Sequence, residues 1–184
     1  MTRFLHVLIG AMTLSFLMAI GADPVSAKSA AEIDAETNQA LETLYDQSSA
    51  ASELGGKASG ILVFPGITKG GFIVGGEYGE GALRVDGKTQ GYYSSASGSI
   101  GLQIGISSRS LVIMFMTDEA LKEFTNADGW EAGVDADVTV VDTGATGSLD
   151  TTTAQSPVIG FNFGEEGLMA GVSVEGTKVT EIDR

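Results

Sequence analysis

No cysteine occurs in this chain, and its only histidine is His6. Without cysteine there is no disulfide framework, no thiol nucleophile and no lipidated thiol. Stability must therefore come from the hydrophobic core. His6 lies in an apolar leader, so the remainder of the chain carries no imidazole. Ser-His-Asp and Cys-His catalysis go with it, as do the common zinc sites. Bases are scarce too: 10 against 24 acids, for a net charge of −14. Most of such a surface repels polyphosphate, which argues against nucleic acid as a partner. Carboxylates, hydroxyls, lysine, arginine and tyrosine remain for chemistry, and neither a cofactor nor a metal is expected.

The leader is Phe4 to Ile20, an uncharged apolar run apart from His6, preceded by Arg3 and followed by Val25-Ser26-Ala27. A positive start, an apolar stretch and a small-x-small site are the parts of a secretory signal. The run falls short of the ~20 apolar residues that a spanning helix needs. The expectation is a signal peptide over residues 1–27, cleavage near Ala27, and a periplasmic or secreted mature chain of residues 28–184. An uncleaved anchor is the alternative. Residues 28–184 are one domain's worth of chain.

Charge is unevenly spread. Residues 28–56 set Lys28 against six acids, and residues 111–184 set three bases against 14 acids. Residues 57–110 instead hold Lys57, Lys69, Arg84, Lys88 and Arg109 against Glu77, Glu80 and Asp86. This is the one basic island of an acidic protein. It reads either as ordinary solvated charge or as a place to hold an anionic headgroup.

The same region, Ser59 to Met116, alternates apolar runs of strand length with Gly-, Pro- and Asp-containing breaks, the pattern of consecutive antiparallel strands. Expected strands are Ile61–Phe64, ended by Pro65-Gly66, then Gly70–Tyr78, Ala82–Val85, Lys88–Ser94, Ser99–Ile106 and a buried Ser110–Met116. Asp86-Gly87 is a hairpin turn. If Gly70–Gly81 is extended, Gly71, Ile73, Gly75, Glu77, Gly79 and Gly81 share one nearly bare face. A sheet keeps such a stripe where it bends sharply, or where a helix or ligand must come close.

Ser29-Ala30-Ala31-Glu32 is a capping box, followed by apolar residues at helical spacing, which predicts a helix over 30–54 stopped by Gly55-Gly56. A second, short helix is expected from Thr117-Asp118-Glu119 to about Phe124. An alternating strand is expected across Val134, Ala136, Val138 and Val140, and a polar loop over 144–156. Val158–Phe163 and Leu168–Val174 are expected to form a hairpin around Glu165-Glu166-Gly167, and Lys178–Ile182 is the last strand. The class is α+β: a mostly antiparallel, strongly curved, Gly-rich β-sheet with an N-terminal helix and one short internal helix, the β-rich body spanning 59–183.

Three motifs fail as catalytic or ligand sites. Val140-Val141-Asp142-Thr143-Gly144-Ala145 imitates an aspartic-protease loop. Only one such motif is present, and Val158-Ile159-Gly160 follows too soon to leave room for that fold. Asn126, Asp128 and Glu131, or Asp135 and Asp137, offer oxygens but lack the spacing of a calcium loop. Gly76-Glu77-Tyr78-Gly79-Glu80-Gly81 lacks the Gly-Lys-Ser/Thr ending of a phosphate loop. Aromatic Tyr92, Tyr93, Phe115, Phe161 and Phe163 line either a lipid pocket or the core, and Trp130 anchors either the core or an interface.

Three ordered segments resemble the SYLF domain family, found in eukaryotic actin-patch proteins and in exported bacterial proteins. They are GILVFPGITKGGFIVGGEYGEG (60–81), SGSIGLQIGISSRSLVIMFMTDEAL (97–121) and GLMAGVSVEGTKV (167–179). The resemblance implies a single lipid-binding domain without catalytic residues. The chain departs from it in two places. Residues 28–56 are acidic where eukaryotic members carry a basic amphipathic segment, and VVDTGATGSLD stands where many relatives have an Ala-Gly-Pro-x-Gly-Arg-like run. Both work against strongly anionic bilayers, and actin is not expected as a partner. The resulting expectation is an exported, non-enzymatic protein that binds phospholipid or a membrane surface. Lys57, Lys69, Arg84, Lys88 and Arg109 would hold the headgroup, and Gly71, Gly75 and Gly79 would admit the chains. The alternative is a structural or protein-interaction module of the envelope that meets a basic partner through its acidic surface.

Overall fold

The computed structural model describes residues 27–70, 74–100, 108–141, 151–164, 167–169 and 171–184. Residues 1–26 of the expected signal peptide, Gly71, most of the expected strand 99–106, the Asp142-Thr143-Gly144-Ala145 motif and the Glu165-Glu166 turn lie outside them.

Helix α1 spans Ala30–Gln47 and begins as its capping sequence requires, the Ser29 hydroxyl accepting the Glu32 N–H at 3.3 Å. Ile33, Thr37, Ala40 and Leu44 form its buried stripe. The expected single helix to residue 54 breaks at Ser48. That residue is extended (φ −143°, ψ 107°), and its hydroxyl caps a second helix, α2 (Ser49–Gly55), by accepting the Ala51 N–H. A serine able to bond a downstream N–H offers the backbone an alternative to continuing the helix.

Strands β1 (Gly60–Gly70), β2 (Val74–Val85), β3 (Lys88–Ile100) and β4 (Ser108–Phe115) follow. Asp86 (φ 50°) and Gly87 (φ 74°) make the left-handed turn between β2 and β3. Helix α3 (Asp118–Asn126) is capped by Thr117, which accepts the Ala120 N–H at 3.2 Å. Then come β5 (Trp130–Glu131), β6 (Thr139–Val141), a four-residue α4 (Thr151–Ala154), β7 (Val158–Gly164), β8 (Gly167–Leu168) and β9 (Lys178–Ile182). They build one curled sheet in the order β5-β9-β3-β2-β1-β4-β7-β6, with β8 beside β7. Every pairing is antiparallel except β6 with β7. The fold is α+β, with a helical N-terminus and a mostly antiparallel sheet.

Several expected boundaries move. Val134–Val138 is not a strand: a turn occupies 133–135, and Val134 is 72% exposed. The loop over 144–156 contains α4, and the strand expected from Leu168 to Val174 ends at Leu168. The two strands expected over 70–85 form a continuous β2 from Val74. Pro65-Gly66 does not end a strand but sits inside one as a bulge. Between Val63↔Ala82 and Thr68↔Tyr78 β1 advances one residue more than β2, and between Phe64↔Leu111 and Ile67↔Arg109 one more than β4. Proline has no N–H to give a ladder, so a bulge is where a strand tolerates it. The Pro65 carbonyl accepts the Ser110 hydroxyl at 2.8 Å.

The bulge explains part of the glycine stripe. A Cβ on Gly79 would lie 2.8 Å from Ile67 Cγ1, and one on Gly81 only 1.9 Å from the Val63 carbonyl oxygen. The bulged β1 presses on bare β2 backbone, and the sheet curls there. One face carries Leu62, Phe64, Ile67, Leu83, Leu111, Ile113 and Phe115 against Phe124, Trp130, Val174 and Val179. Phe124 stacks on Phe115 at 4.8 Å and meets Trp130 edge-on at 5.7 Å, so both Phe115 and Trp130 are core residues. The other face carries Val63, Val112, Met114, Ile159 and Phe161 under Ala40, Leu44, Ala51 and Leu54. Each large side chain buried there contributes about 1.5–3 kcal/mol.

Gly81→Ala forces β1 off β2 and is expected to lower stability by about 1–3 kcal/mol or more. Gly98→Ala, with nothing within 4 Å of the new methyl, should leave stability unchanged or slightly raised. Urea unfolding of both variants checks this; equal midpoints would refute the close-approach explanation.

Candidate functional site

The five bases of the basic island do not converge. Arg109 on β4 is 7% exposed and donates from Nε (3.1 Å) and Nη2 (2.6 Å) to Glu77 Oε2, and from Nη1 to Asn162 Oδ1. Asn162, itself fully buried, donates to the Val172 carbonyl at 3.0 Å. Lys69 stands opposite Glu77 in the β1–β2 register. This group ties β2 to β4 across the bulge, and its arginine is already satisfied. Lys57, in the turn after α2, pairs with Glu53 at 2.6 Å with both side chains mostly exposed. Lys88 is exposed and opposite Val85, whose side chain packs on the α3 face of the sheet. Paired residues share a face and neighbours alternate, so Lys88 stands on the face opposite Arg84.

Arg84 remains. It lies on the α1 face of β2, and its Nη2 donates to the Asp34 carbonyl (3.1 Å) and to Asn38 Oδ1 (2.8 Å), with Asp34 Oδ1 at 3.6 Å. The same carboxylate accepts from Thr89 (2.6 Å) and Tyr92 (3.1 Å). Nε is buried with no partner among the described residues. On the other side of the guanidinium, Nη1 carries no hydrogen bond among the described residues.

Arg84 walls a cleft of about 360 Å³ between α1 and the β2–β3 hairpin. Asn38, Leu41 and Tyr45 line it from α1, Gly56 from the end of α2, Ala58 and Ile61 from the start of β1, and Asp86 from the hairpin tip. Asp34, Asn38, Leu41 and Tyr45 recur at helical spacing, one position on from the buried stripe 33, 37, 40, 44. The helical pattern expected from the sequence runs through Ile33, Thr37, Ala40, Leu41, Leu44, Ser48 and Ala51; it includes Leu41 but not Asp34, Asn38 or Tyr45, whose spacing was their signal. Gly55 makes room for Tyr45: a Cβ there would come within 2.3 Å of the phenol oxygen. Burial pushes the Tyr45 phenol above its ordinary value, so it stays neutral well into the alkaline range.

Of the glycines expected to admit chains, Gly71 lies outside the described residues. Gly75 pairs with Ser99 on β2–β3, and Gly79 is closed over by Ile67. Exposed glycine backbone occurs instead on the opposite face, at the Gly76↔Gly98 pair. A second cleft, about 320 Å³, flanks α1 on its other side. It holds Lys28 and Arg109, but each is neutralised, by Glu36 at 2.5 Å and by Glu77. A third, shallower depression of about 540 Å³ beside Tyr78, Ala96 and the Gly76↔Gly98 pair carries Lys178 at its edge. Among the described residues the Arg84 cleft differs from it in having a cation fixed by hydrogen bonds beside an apolar wall.

A family model described as Ysc84, Las17-binding protein actin regulator, matches residues 96–184. No curated protein matches the chain. The matched stretch runs from the end of β3 to the C-terminus, so the residues lining the Arg84 cleft precede it.

Breaking a buried ion pair leaves an uncompensated charge, so Arg109→Ala should cost about 3–5 kcal/mol. Lys57→Ala, at an exposed pair, should leave the unfolding midpoint where it was. Denaturant titration followed by the fluorescence of buried Trp130 measures both, and an Arg109→Ala midpoint equal to wild type would show that the pair holds nothing together.

Proposed function

Since residues 96–184 belong to the Ysc84 (SYLF) family, we propose that this protein is an exported, non-catalytic phospholipid-binding protein of the cell envelope. The observation that carries this reading is the Arg84 cleft, where a positioned guanidinium meets Leu41, Tyr45, Ala58 and Ile61. That pairing suits an amphiphile with a phosphate at one end and hydrocarbon at the other. Each methylene buried there is worth about 0.8 kcal/mol, and a hydrogen bond to a charged group about 1.5–3 kcal/mol. A few methylenes thus match the arginine, so affinity comes from the chain and orientation from the headgroup. Export is supported by the signal-like residues 1–27, and absence of catalysis by the missing cysteine and the confinement of histidine to His6.

The net charge of −14 favours a second reading, a module that meets a basic protein partner. The matched family is itself described by a binding activity. Lipid extracted with the native protein would favour the first reading, and a co-purifying basic protein without lipid the second.

The charge gives the first reading a distinctive salt dependence. An acidic protein is repelled by an anionic bilayer, and salt screens that repulsion over about 10 Å at 0.1 M. Flotation of residues 28–184 with phosphatidylethanolamine/phosphatidylglycerol vesicles should therefore strengthen as salt is added. Absence of flotation at every salt concentration, by protein that circular dichroism shows to be folded, together with no binding of single-chain phospholipid, would remove the lipid-binding reading.

A further inference from the structure

Resting on that reading, we propose that the occupant of the Arg84 cleft is a single-chain zwitterionic phospholipid, of the lysophosphatidylethanolamine class. Its phosphate would meet Arg84, its ammonium Asp86, and its chain the strip formed by Leu41, Tyr45, Ala58 and Ile61.

Capacity is the first ground. At about 360 Å³ the cleft is near the lower end of the roughly 300–1,000 Å³ typical of small-molecule sites. It has room for a headgroup and part of one chain, and none for the two chains of a membrane lipid.

Charge is the second ground. The lining contains one cation, Arg84, and one anion, Asp86. They are two residues apart in sequence, so at most about 7 Å of extended chain separates their backbones. The surrounding charges leave no surplus of positive potential. Asp34 lies 3.6 Å from Arg84, and Glu53 holds Lys57 just beyond Gly56. A purely anionic headgroup would gain Arg84 and meet Asp86 unfavourably, whereas a zwitterion satisfies both. Preorganisation is the third ground: the bonds from Nη2 to Asp34 and Asn38 fix the guanidinium, and Nη1 remains for a ligand oxygen.

Two substitutions isolate the cleft without disturbing the fold. Asp86→Asn keeps a residue suited to its left-handed φ of 50° while removing the charge. Gly56→Trp acts at the mouth, where φ is −70° and a Cβ meets nothing closer than 3.6 Å. Calorimetric titration of residues 28–184, below the micelle concentration, should show one lysophosphatidylethanolamine per chain. Lysophosphatidylglycerol should bind about tenfold more weakly, the equivalent of about 1.4 kcal/mol. Asp86→Asn should abolish that preference, and Gly56→Trp should abolish binding of both lipids with the unfolding midpoint unchanged. Equal wild-type affinities, a preference that survives Asp86→Asn, or wild-type binding by Gly56→Trp would each overturn the assignment. If vesicles still float the protein after any of these results, lipid binding stands and only this cleft and headgroup fall. If neither vesicles nor single-chain lipids bind, both fall together.

Discussion

The architecture depends on how closely β1 can lie against β2. At Gly81 the Val63 carbonyl oxygen occupies the space of a side chain, and at Gly79 Ile67 does the same. Each glycine costs a strand roughly 0.5–1 kcal/mol in backbone entropy. The cost is offset because the approach seats Phe64 and Ile67, 0% and 2% exposed, each worth about 1.5–3 kcal/mol on burial. The bulge at Pro65-Gly66 provides the extra residue that lets β1 turn across its neighbours. The curl that results gives the sheet two usable faces, one filled by α3 and the C-terminal segments, the other covered by α1 and α2.

Local signals were legible where one residue type answers one backbone need. The Ser29 and Thr117 caps, the Asp86-Gly87 turn and the buried β4 all appear as their sequences require. Pro65-Gly66 misleads because the same dipeptide serves a strand end and a bulge, and only the neighbouring strands decide between them. The alternation through Val134–Val140 misleads for a related reason. Period-2 patterning marks a strand only when a partner edge is available, and here the neighbouring ladder positions go to Trp130–Glu131 and Thr139–Val141. The glycine stripe was visible, and of the two uses left open for it, close packing is the one seen at Gly79 and Gly81.

The basic island was legible as a composition but not as a site. Five bases within 53 residues look concentrated on paper, yet strand alternation and the hairpin send Lys88 and Arg84 to opposite faces. Arg109 and Arg84 show how differently two arginines of one sheet can be used. Arg109 is enclosed by Glu77 and Asn162, with all of its donor nitrogens engaged. Arg84 is held from one side only, by α1. The first fixes the geometry of three strands, whereas the second fastens one helix to the hairpin.

That difference is set by α1, whose two adjacent stripes do separate work. Ile33, Thr37, Ala40 and Leu44 fasten the helix to the sheet. Asp34, Asn38, Leu41 and Tyr45 then face the hairpin, the first two gripping Arg84 and the last two supplying apolar wall. The family match begins only at residue 96, so it covers part of the framework and none of this lining. The N-terminal helices and the hairpin tip therefore set the charge of the cleft, where Asp34 and Asp86 lower the local potential around Arg84.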